Sequence, residues 1–313
     1  MIKYVAHKDI NKNKWDTCIQ DSVNGIVYAY SWYLDIVCPK WDALIEDDYK
    51  SVLPLPKAEK YGFRYTYPPP FTQQLGVFST SKLSNEKVEM FLEQIPARYK
   101  YIEMNLNTLN RVKADSFESR NLITHLLDLI SPYEHTYANY STQAKRNLKK
   151  AQASSLNILT SVPPQKVIDL FKANRGKKYK HPASYYSTLN KLVLTCMRKN
   201  SGQAWGVYTS EKELCAGALF VGSNKRIIFL FSGTNQKAFD THAMTLLIDR
   251  FIKDNSQREV TLDFEGSLDM DVARFYKGFG SKEVHFQQIR RNNLPYPVKW
   301  IKDLQFKKKS AQS

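Results

Sequence analysis

The spacing of apolar positions divides the chain into two mixed halves. In the first, residues 2–6 read as a strand, 9–20 as a helix, 86–94 as a helix and 101–106 as a strand. In the second, 164–174 and 185–199 read as helices, after a short strand at 156–160. Three strands then follow at 204–209, 213–221 and 226–231. Ala243, Leu247 and Phe251, with Met244 and Ile248 beside them, make a helical stripe over residues 240–254. A strand at 259–264, a shorter helix at 269–277 and a last strand at 282–289 complete the order. Strand, helix, strand, helix, strand on one sheet predicts an α/β layer with right-handed crossovers.

Two breaks punctuate this pattern. Residues 61–76 read YGFRYTYPPPFTQQLG, where three successive prolines remove backbone donors, so the segment is expected to be an extended aromatic loop. Ser131 and Pro132 signal a helix start, and the helix is expected to run on through residues 142–153. A length of 313 residues, at roughly 100–200 per domain, suggests two domains. The expected division is 1–131, a bridging basic helix at 132–153, and 154–313.

Composition adds limits. Hydrophobic content of 42% with 24% charged residues supplies a packed core rather than a disordered chain. No run of about 18 apolar residues is present, and the first ten include Lys3, His7, Lys8 and Asp9, so neither secretion nor a membrane span is expected and the location is read as cytoplasmic. Cys18, Cys38, Cys196 and Cys215 lie far apart without His or paired-cysteine spacing, which argues for buried thiols in a reducing compartment and against a bound metal. Lys and Arg outnumber Asp and Glu by 46 to 30, a net charge of +16 whose field attracts polyanions. Nucleic acid, a nucleotide-bearing substrate and a phosphorylated acyl carrier all suit that field, and so does plain solubility.

The segment Leu262 to Gln287 reads LDFEGSLDMDVARFYKGFGSKEVHFQ. Its Asp263-Phe264-Glu265-Gly266 and Phe275-Tyr276-Lys277-Gly278-Phe279-Gly280 resemble the FemABX peptidyltransferases and related acetyltransferases. There a strand ending in Asp-Phe-x-Gly precedes a short helix ending in Phe-Lys-x-x-Phe-Gly, and Tyr276 takes the position of the family's lysine. Ser141 followed by Arg146-Asn147-Leu148-Lys149-Lys150-Ala151 is similar to the family's serine and basic pair on the interdomain helix. PPPFTQQLGVF, from Pro68 to Phe78, looks like a segment of bacterial FemAB-like homologues. The resemblance implies an α/β protein with mixed sheets, built from two GNAT-like domains in tandem, with the site in the cleft between halves and on the C-terminal sheet. It also implies that the strands ending at Phe231 and Phe264 are neighbours that diverge, letting a donor pass between them.

The activity so implied is N-acyl or aminoacyl transfer. The donor is acyl-CoA or aminoacyl-tRNA as a co-substrate, with no tightly bound cofactor, and the acceptor is an amine on a cell-wall or nucleotide-linked precursor. Such chemistry needs a base for the amine, a clamp for a phosphorylated donor and stabilisation of an oxyanion. Glu265, just past a strand end, is the candidate base, though it also reads as a solvated turn residue. Asp263 is a catalytic or hydrogen-bonding candidate on the strand before it. Tyr276 is a candidate acid for the leaving thiolate or ribose hydroxyl, or else a core ring beside Phe275.

Donor candidates fall in two groups. The turn after Phe231 reads SGTNQKAFDTHAM and leads, with Asp240 as cap, into a helix N-terminus suited to a pyrophosphate, offering Thr234, Asn235, Thr241 and His242. GNAT enzymes carry a glycine-rich loop here, whereas this chain has Gly233 before the turn and side chains at the remaining positions. Lys145 with Lys149, and Arg146 with Lys150, form two basic stripes at i, i+4 that suit phosphates, or simply a solvated helix face. Lys172, Arg175, Lys177, Lys178 and Lys180 extend this basic region toward His181, a further candidate base. Gln73 and Gln74, with the tyrosines at 61, 65 and 67, are candidates for holding the acceptor, or else part of a packed interdomain loop, and the lysine-rich tail at 307–313 reads as a frayed end. The filled turn also suits a non-catalytic GNAT-fold module binding an anionic ligand or RNA.

Overall fold

Short strands bounded by turn residues build the first half of the chain. In order these are β1 (Ile2–Val5), α1 (Lys12–Asp21), α2 (Ser31–Val37), β2 (Trp41–Glu46), β3 (Ser51–Lys60), β4 (Phe63–Thr66), β5 (Phe78–Ser79), α3 (Asn85–Glu93), β6 (Tyr99–Asn105) and β7 (Glu118–Asp128). The structure, a computed structural model, describes residues 1–113, 116–266 and 270–310. The second half holds α4 (Tyr133–Ala138), α5 (Thr142–Ala153), β8 (Asn157–Leu159), α6 (Pro164–Ala173), α7 (Gly176–Tyr179), α8 (Ala183–Arg198), β9 (Gly202–Tyr208), β10 (Leu214–Ser223) and β11 (Arg226–Thr234). It continues with α9 (Gln236–Asp240), α10 (Ala243–Asn255), β12 (Thr261–Asp263), α11 (Met270–Lys277), β13 (Lys282–Asn292) and α12 (Val298–Ser310). The architecture is mixed α/β, with parallel and antiparallel pairs in its sheets.

Two compact units emerge, Met1–Ile123 with Val284–Ser313, and Thr124–Glu283. Their limits differ from the boundaries expected at 131 and 154, because β13 pairs with β6 (Asn292 opposite Tyr101) and carries the chain's last helix into the first unit. In that unit the strand order is β1-β2-β3-β4-β6-β13, with β5 on β3. Leu44, Leu53, Phe91, Leu92, Ile102 and Met104 form its core.

Local chemistry explains where the sequence expectation fails in this unit. Residues 61–76 are not one loop. Tyr61 (φ 53) and Gly62 (φ 76) both take left-handed backbone and close a two-residue hairpin, pairing Lys60 with Phe63, so that Phe63–Thr66 forms β4. The proline run bars a strand only after it. Asp9 sits in a short 3-10 turn, and α1 starts after Asn11, whose side chain accepts from the Lys14 N–H at 3.1 Å. The expected frayed tail is helical through Ser310, because Phe306 is buried and Asp303 pairs with the fully buried Arg290. Residues 311–313 lie outside the described residues, as does Asp269, the expected start of α11.

In the second unit the strand order is β7-β12-β11-β10-β9-β8. One face packs on α5 and α10 through Trp205, Phe220, Phe251 and Phe264, with Phe220 and Phe251 stacked at 3.8 Å. On the other face α6 comes so close that a Cβ at Gly217 would lie 2.7 Å from Val167 Cγ2, and one at Gly233 would lie 2.6 Å from the Val167 carbonyl. The expected single bridging helix is two. The chain breaks at Asn139–Ser141, where the Ser141 hydroxyl caps α5 by accepting from the Ala144 N–H at 3.1 Å and its own N–H donates to the Gly278 carbonyl at 2.9 Å. Asp240 does not cap the long helix either: it ends α9, where its carboxylate accepts from Gln236 Nε2 at 2.9 Å. Among the described residues no helix is long and apolar enough to cross a membrane. The four cysteines are buried free thiols.

Candidate active site

β11 and β12 run parallel for only three pairs, Arg226 with Thr261, Ile227 with Leu262 and Ile228 with Asp263. Beyond them the strands part. β12 ends at Asp263, while β11 continues to Thr234 after a register slip at Leu230, where Leu219 pairs with Phe231 but Phe220 with Phe229. The parted ends open on a cavity of about 310 Å³ whose lining includes Phe231, Ser232, Phe264, Glu265 and Tyr276. This is the divergence expected of the strands ending at Phe231 and Phe264.

Glu265 and Tyr276 therefore border one cavity. Glu265 is half-buried and held at φ 60, a left-handed backbone that costs a non-glycine residue about 1–2 kcal/mol. Two hydrogen bonds hold it there: its N–H donates to Asp263 Oδ1 at 2.8 Å, and its carbonyl accepts from the His125 N–H at 3.2 Å. Opposite stands Tyr185, whose hydroxyl is pushed up to about 12 by burial, reinforced by Tyr186 and the Glu265 charge. His181 stacks on the Tyr185 ring at 4.0 Å and also lines this cavity. Tyr276 lies against Phe264 with ring centroids 4.9 Å apart, so it is both a packed ring and a wall of the cavity.

Asp263, a catalytic candidate from sequence, is fully buried. Its Oδ2 pairs with Arg226 Nε at 3.1 Å, and its Oδ1 accepts from Thr124 Oγ1 at 2.5 Å as well as from Glu265. A carboxylate so enclosed cannot reach a substrate, so its work is to position Glu265. His125, which sequence reasoning missed, is buried beside Tyr276, ring centroids 5.9 Å apart, with Nε2 3.7 Å from Glu283 Oε1. Burial lowers its pKa, against the raising influence of Glu265 and Glu283. It sits in LITHLLD, an apolar strand run that gives no sign of a site.

A second cavity of about 700 Å³ shares Tyr276 and reaches α10. Thr234, Asn235 and His242, three of the four donor-loop candidates, line it. Thr241 is not among its lining residues, because its hydroxyl donates to the Lys237 carbonyl at 2.6 Å. Asn235 also caps α9, accepting from the Ala238 N–H at 3.1 Å, so the position of the glycine-rich loop is filled by a helical turn. His242 precedes α10 at φ 54, and its imidazole is lowered by burial and then by the nearby Lys150 charge. Asn147 of α5, Arg175 and Asp271 also line it, within a mainly apolar surface.

The remaining candidates disperse. Lys145 donates to the Ala138 carbonyl at 2.8 Å and lies over the Tyr137 ring, which makes it a local fastener of α4 to α5. Arg146 and Lys149 are exposed on α5. Gln74 is fully buried with its amide turned to Gln73 Oε1 at 2.9 Å, and the Gln73 carbonyl accepts from Asn105 Nδ2 at 2.9 Å. The cavity beside that loop holds about 10 Å³, room for a water at most, so this segment packs rather than receives an acceptor. Tyr61 stands 84% exposed at the hairpin tip while Tyr67 turns its hydroxyl to Cys38 Sγ, so the three tyrosines form no common wall. Among the described residues no group of three or more His, Cys, Asp and Glu is placed to hold a metal.

The sequence matches no protein-family model and no curated protein. Solved structures do match. FemX superposes with a TM-score of 0.70 at 10% identity, over 93% of this chain and 98% of its own. A conserved protein of unknown function from Bacteroides thetaiotaomicron follows at 0.58 and 10%, over 93% and 99%. L-PGS from Bacillus licheniformis gives 0.53 and 10%, over 92% and 94%. The chain shares the fold of FemX.

Proposed function

We propose that this protein is an acyltransferase that moves an acyl or aminoacyl group from a phosphorylated donor to an amine. One observation carries the reading: β11 and β12 part immediately beyond the Ile228–Asp263 pair, and Glu265 and Tyr276 stand in the opening, next to a cavity that ends on α10. Likeness of fold to FemX supports the class of reaction. The donor's phosphates rest against the first turn of α10, near Lys150 and Arg175, and its acyl carbonyl lies in the opening. Glu265 takes a proton from the acceptor ammonium, the amine nitrogen attacks the carbonyl carbon, and a carbon–nitrogen bond replaces the carbon–sulfur or carbon–oxygen bond of the donor. Tyr276 gives its proton to the leaving thiolate or ribose oxygen, and the second proton of the attacking nitrogen, shed as the tetrahedral intermediate collapses to the amide, restores the tyrosine through a water. The donor is acyl-CoA or aminoacyl-tRNA, and the acceptor is an amine on a cell-wall or nucleotide-linked precursor.

A donor panel tests this. Acyl-CoA predicts thiol release without nucleic acid, and aminoacyl-tRNA predicts amide formation with steep salt dependence. Mass spectrometry of the amide product is the positive result. Binding of an anionic donor without any amide would instead support a non-catalytic module, the reading favoured by the helical turn α9 in place of a glycine-rich loop.

A further inference from the structure

α12 is anchored on one side and bare on the other. Asp303 and Phe306 hold it to Arg290, and Asn292 Nδ2 donates to the Lys299 carbonyl at 3.1 Å and to Asp303 Oδ1 at 2.7 Å. Trp300, Ile301 and Leu304, on the opposite side of the helix, are 55%, 47% and 42% exposed. Tyr296, just before the helix, is 81% exposed. Among the described residues, these three large apolar side chains on one helix face, with an aromatic ring beside them, leave much of their surface uncovered.

The same end of the first unit carries a third exposed ring, Tyr61. Phe63 pairs with Lys60, Arg64 with Tyr99, and the Asn293 N–H donates to the Lys100 carbonyl at 2.8 Å. That register sets the β3–β4 hairpin tip, with Tyr61, and the start of α12 at one end of the sheet. Lys60, Arg98, Lys100, Lys299 and Lys302 are exposed around them. Among the described residues, Glu59 lies 3.8 Å from Arg64 and Asp303 pairs with Arg290. Lysines beside exposed Trp, Tyr and Leu match the interface of an anionic bilayer, which takes rings at headgroup depth and cations at the phosphates.

We propose that this end of the first unit, α12 together with the β3–β4 hairpin, docks on an anionic lipid surface, holding the protein on a membrane without crossing it. The inference is independent of the acyl-transfer reading. Flotation of the full chain with vesicles of phosphatidylcholine alone, or of equal parts phosphatidylcholine and phosphatidylglycerol, tests it. Binding is expected on the anionic vesicles only and should weaken as salt is raised. Trp300→Gln with Ile301→Gln and Leu304→Gln changes exposed side chains only and should lower partitioning by roughly tenfold or more while leaving the circular dichroism unchanged. Lys299→Glu with Lys302→Glu should do the same on anionic vesicles. Absent binding of the parent chain, or equal partitioning of the triple variant, overturns the proposal. So does concentration-dependent dimerisation that the triple variant abolishes, which would make a second copy the occupant.

Discussion

The Glu265 N–H donates to Asp263 Oδ1 at 2.8 Å, so a buried carboxylate fixes the left-handed residue that ends β12. The other oxygen of that carboxylate is held by Arg226, and Thr124 shares the first. The strand end is thereby locked from beneath, and Glu265 is turned toward the cavity where β11 and β12 separate.

Breaking this lock should cost stability and position together. Asp263→Ala leaves the half-buried Arg226 without its counter-charge; losing one partner of a fully buried pair costs about 3–5 kcal/mol, so the loss here should fall at or below the low end of that range. Thr124→Val removes a single hydrogen bond to the same carboxylate and should cost about 1–2 kcal/mol. Urea midpoints measure both. Equal, near-zero losses would mean that the pair does not hold the strand end.

The second half was legible because its chemistry is local. Helices α6, α8 and α10 and strands β9–β11 carry clean apolar periods, and the Asp263 to Gly280 motifs pointed to the opening that the structure contains. β3 was not legible, because Pro54 and Pro56 argue against a strand. The structure admits both in the gap between the residues that pair with β5 (Ser51 and Val52) and those that pair with β4 (Lys57 to Lys60), where no second neighbour asks for their missing N–H. Asp263 reads from sequence as either a catalytic or a hydrogen-bonding residue, and only its burial with Arg226 and Thr124, from distant strands, favours the second. Gln73 and Gln74 read from sequence either as a binding pair or as loop packing, and the bond from Asn105 to the Gln73 carbonyl favours packing. His125 gave no local signal at all.

Donor binding should depend on Lys150 more than on Lys145. Lys150 acts on His242 beside α10, whereas Lys145 is spent on the Ala138 carbonyl and the Tyr137 ring. Lys150→Glu with Lys149→Glu should weaken donor binding and flatten its dependence on salt, by about one unit of slope for each donor phosphate that is no longer neutralised, without loss of fold. Lys145→Glu should instead lower the melting temperature. Titrations across a salt series and thermal melts separate the two effects, and an unchanged slope in the double variant would remove α5 from the donor site.

Acid should destabilise the second unit through His125. Burial holds this imidazole below its ordinary value of 6.5, against Glu265, Glu283 and Asp263, which favour its proton, and with Lys277, which opposes it. The unfolded chain then binds that proton more readily than the folded one, so stability is full above about pH 7 and falls as the pH drops below the unfolded value. His125→Gln should flatten the decline in urea midpoint between about pH 7 and pH 5. An undiminished slope would assign the acid sensitivity to other groups.

Glu265 separates function from stability most sharply. Its backbone is strained at φ 60, so Glu265→Gly should relieve the strain and stabilise the fold by about 1 kcal/mol, while removing the carboxylate. Glu265→Gln keeps the strain and the shape but not the base. If Glu265 deprotonates the acceptor amine, both variants should lose roughly 10²–10⁴-fold in turnover on an identified substrate pair with little change in donor binding. The glycine variant should nevertheless melt higher than the parent. Tyr276→Phe keeps the stack on Phe264 and removes only the hydroxyl, so it should lower turnover without lowering stability if that hydroxyl protonates the leaving group. A carboxylate kept at the cost of strain, and worth nothing to turnover when removed, would show that Glu265 serves the turn alone. Full turnover by all three variants would leave the opening between β11 and β12 as a feature of the fold and move the chemistry to other residues lining it, His181 and Tyr185 first.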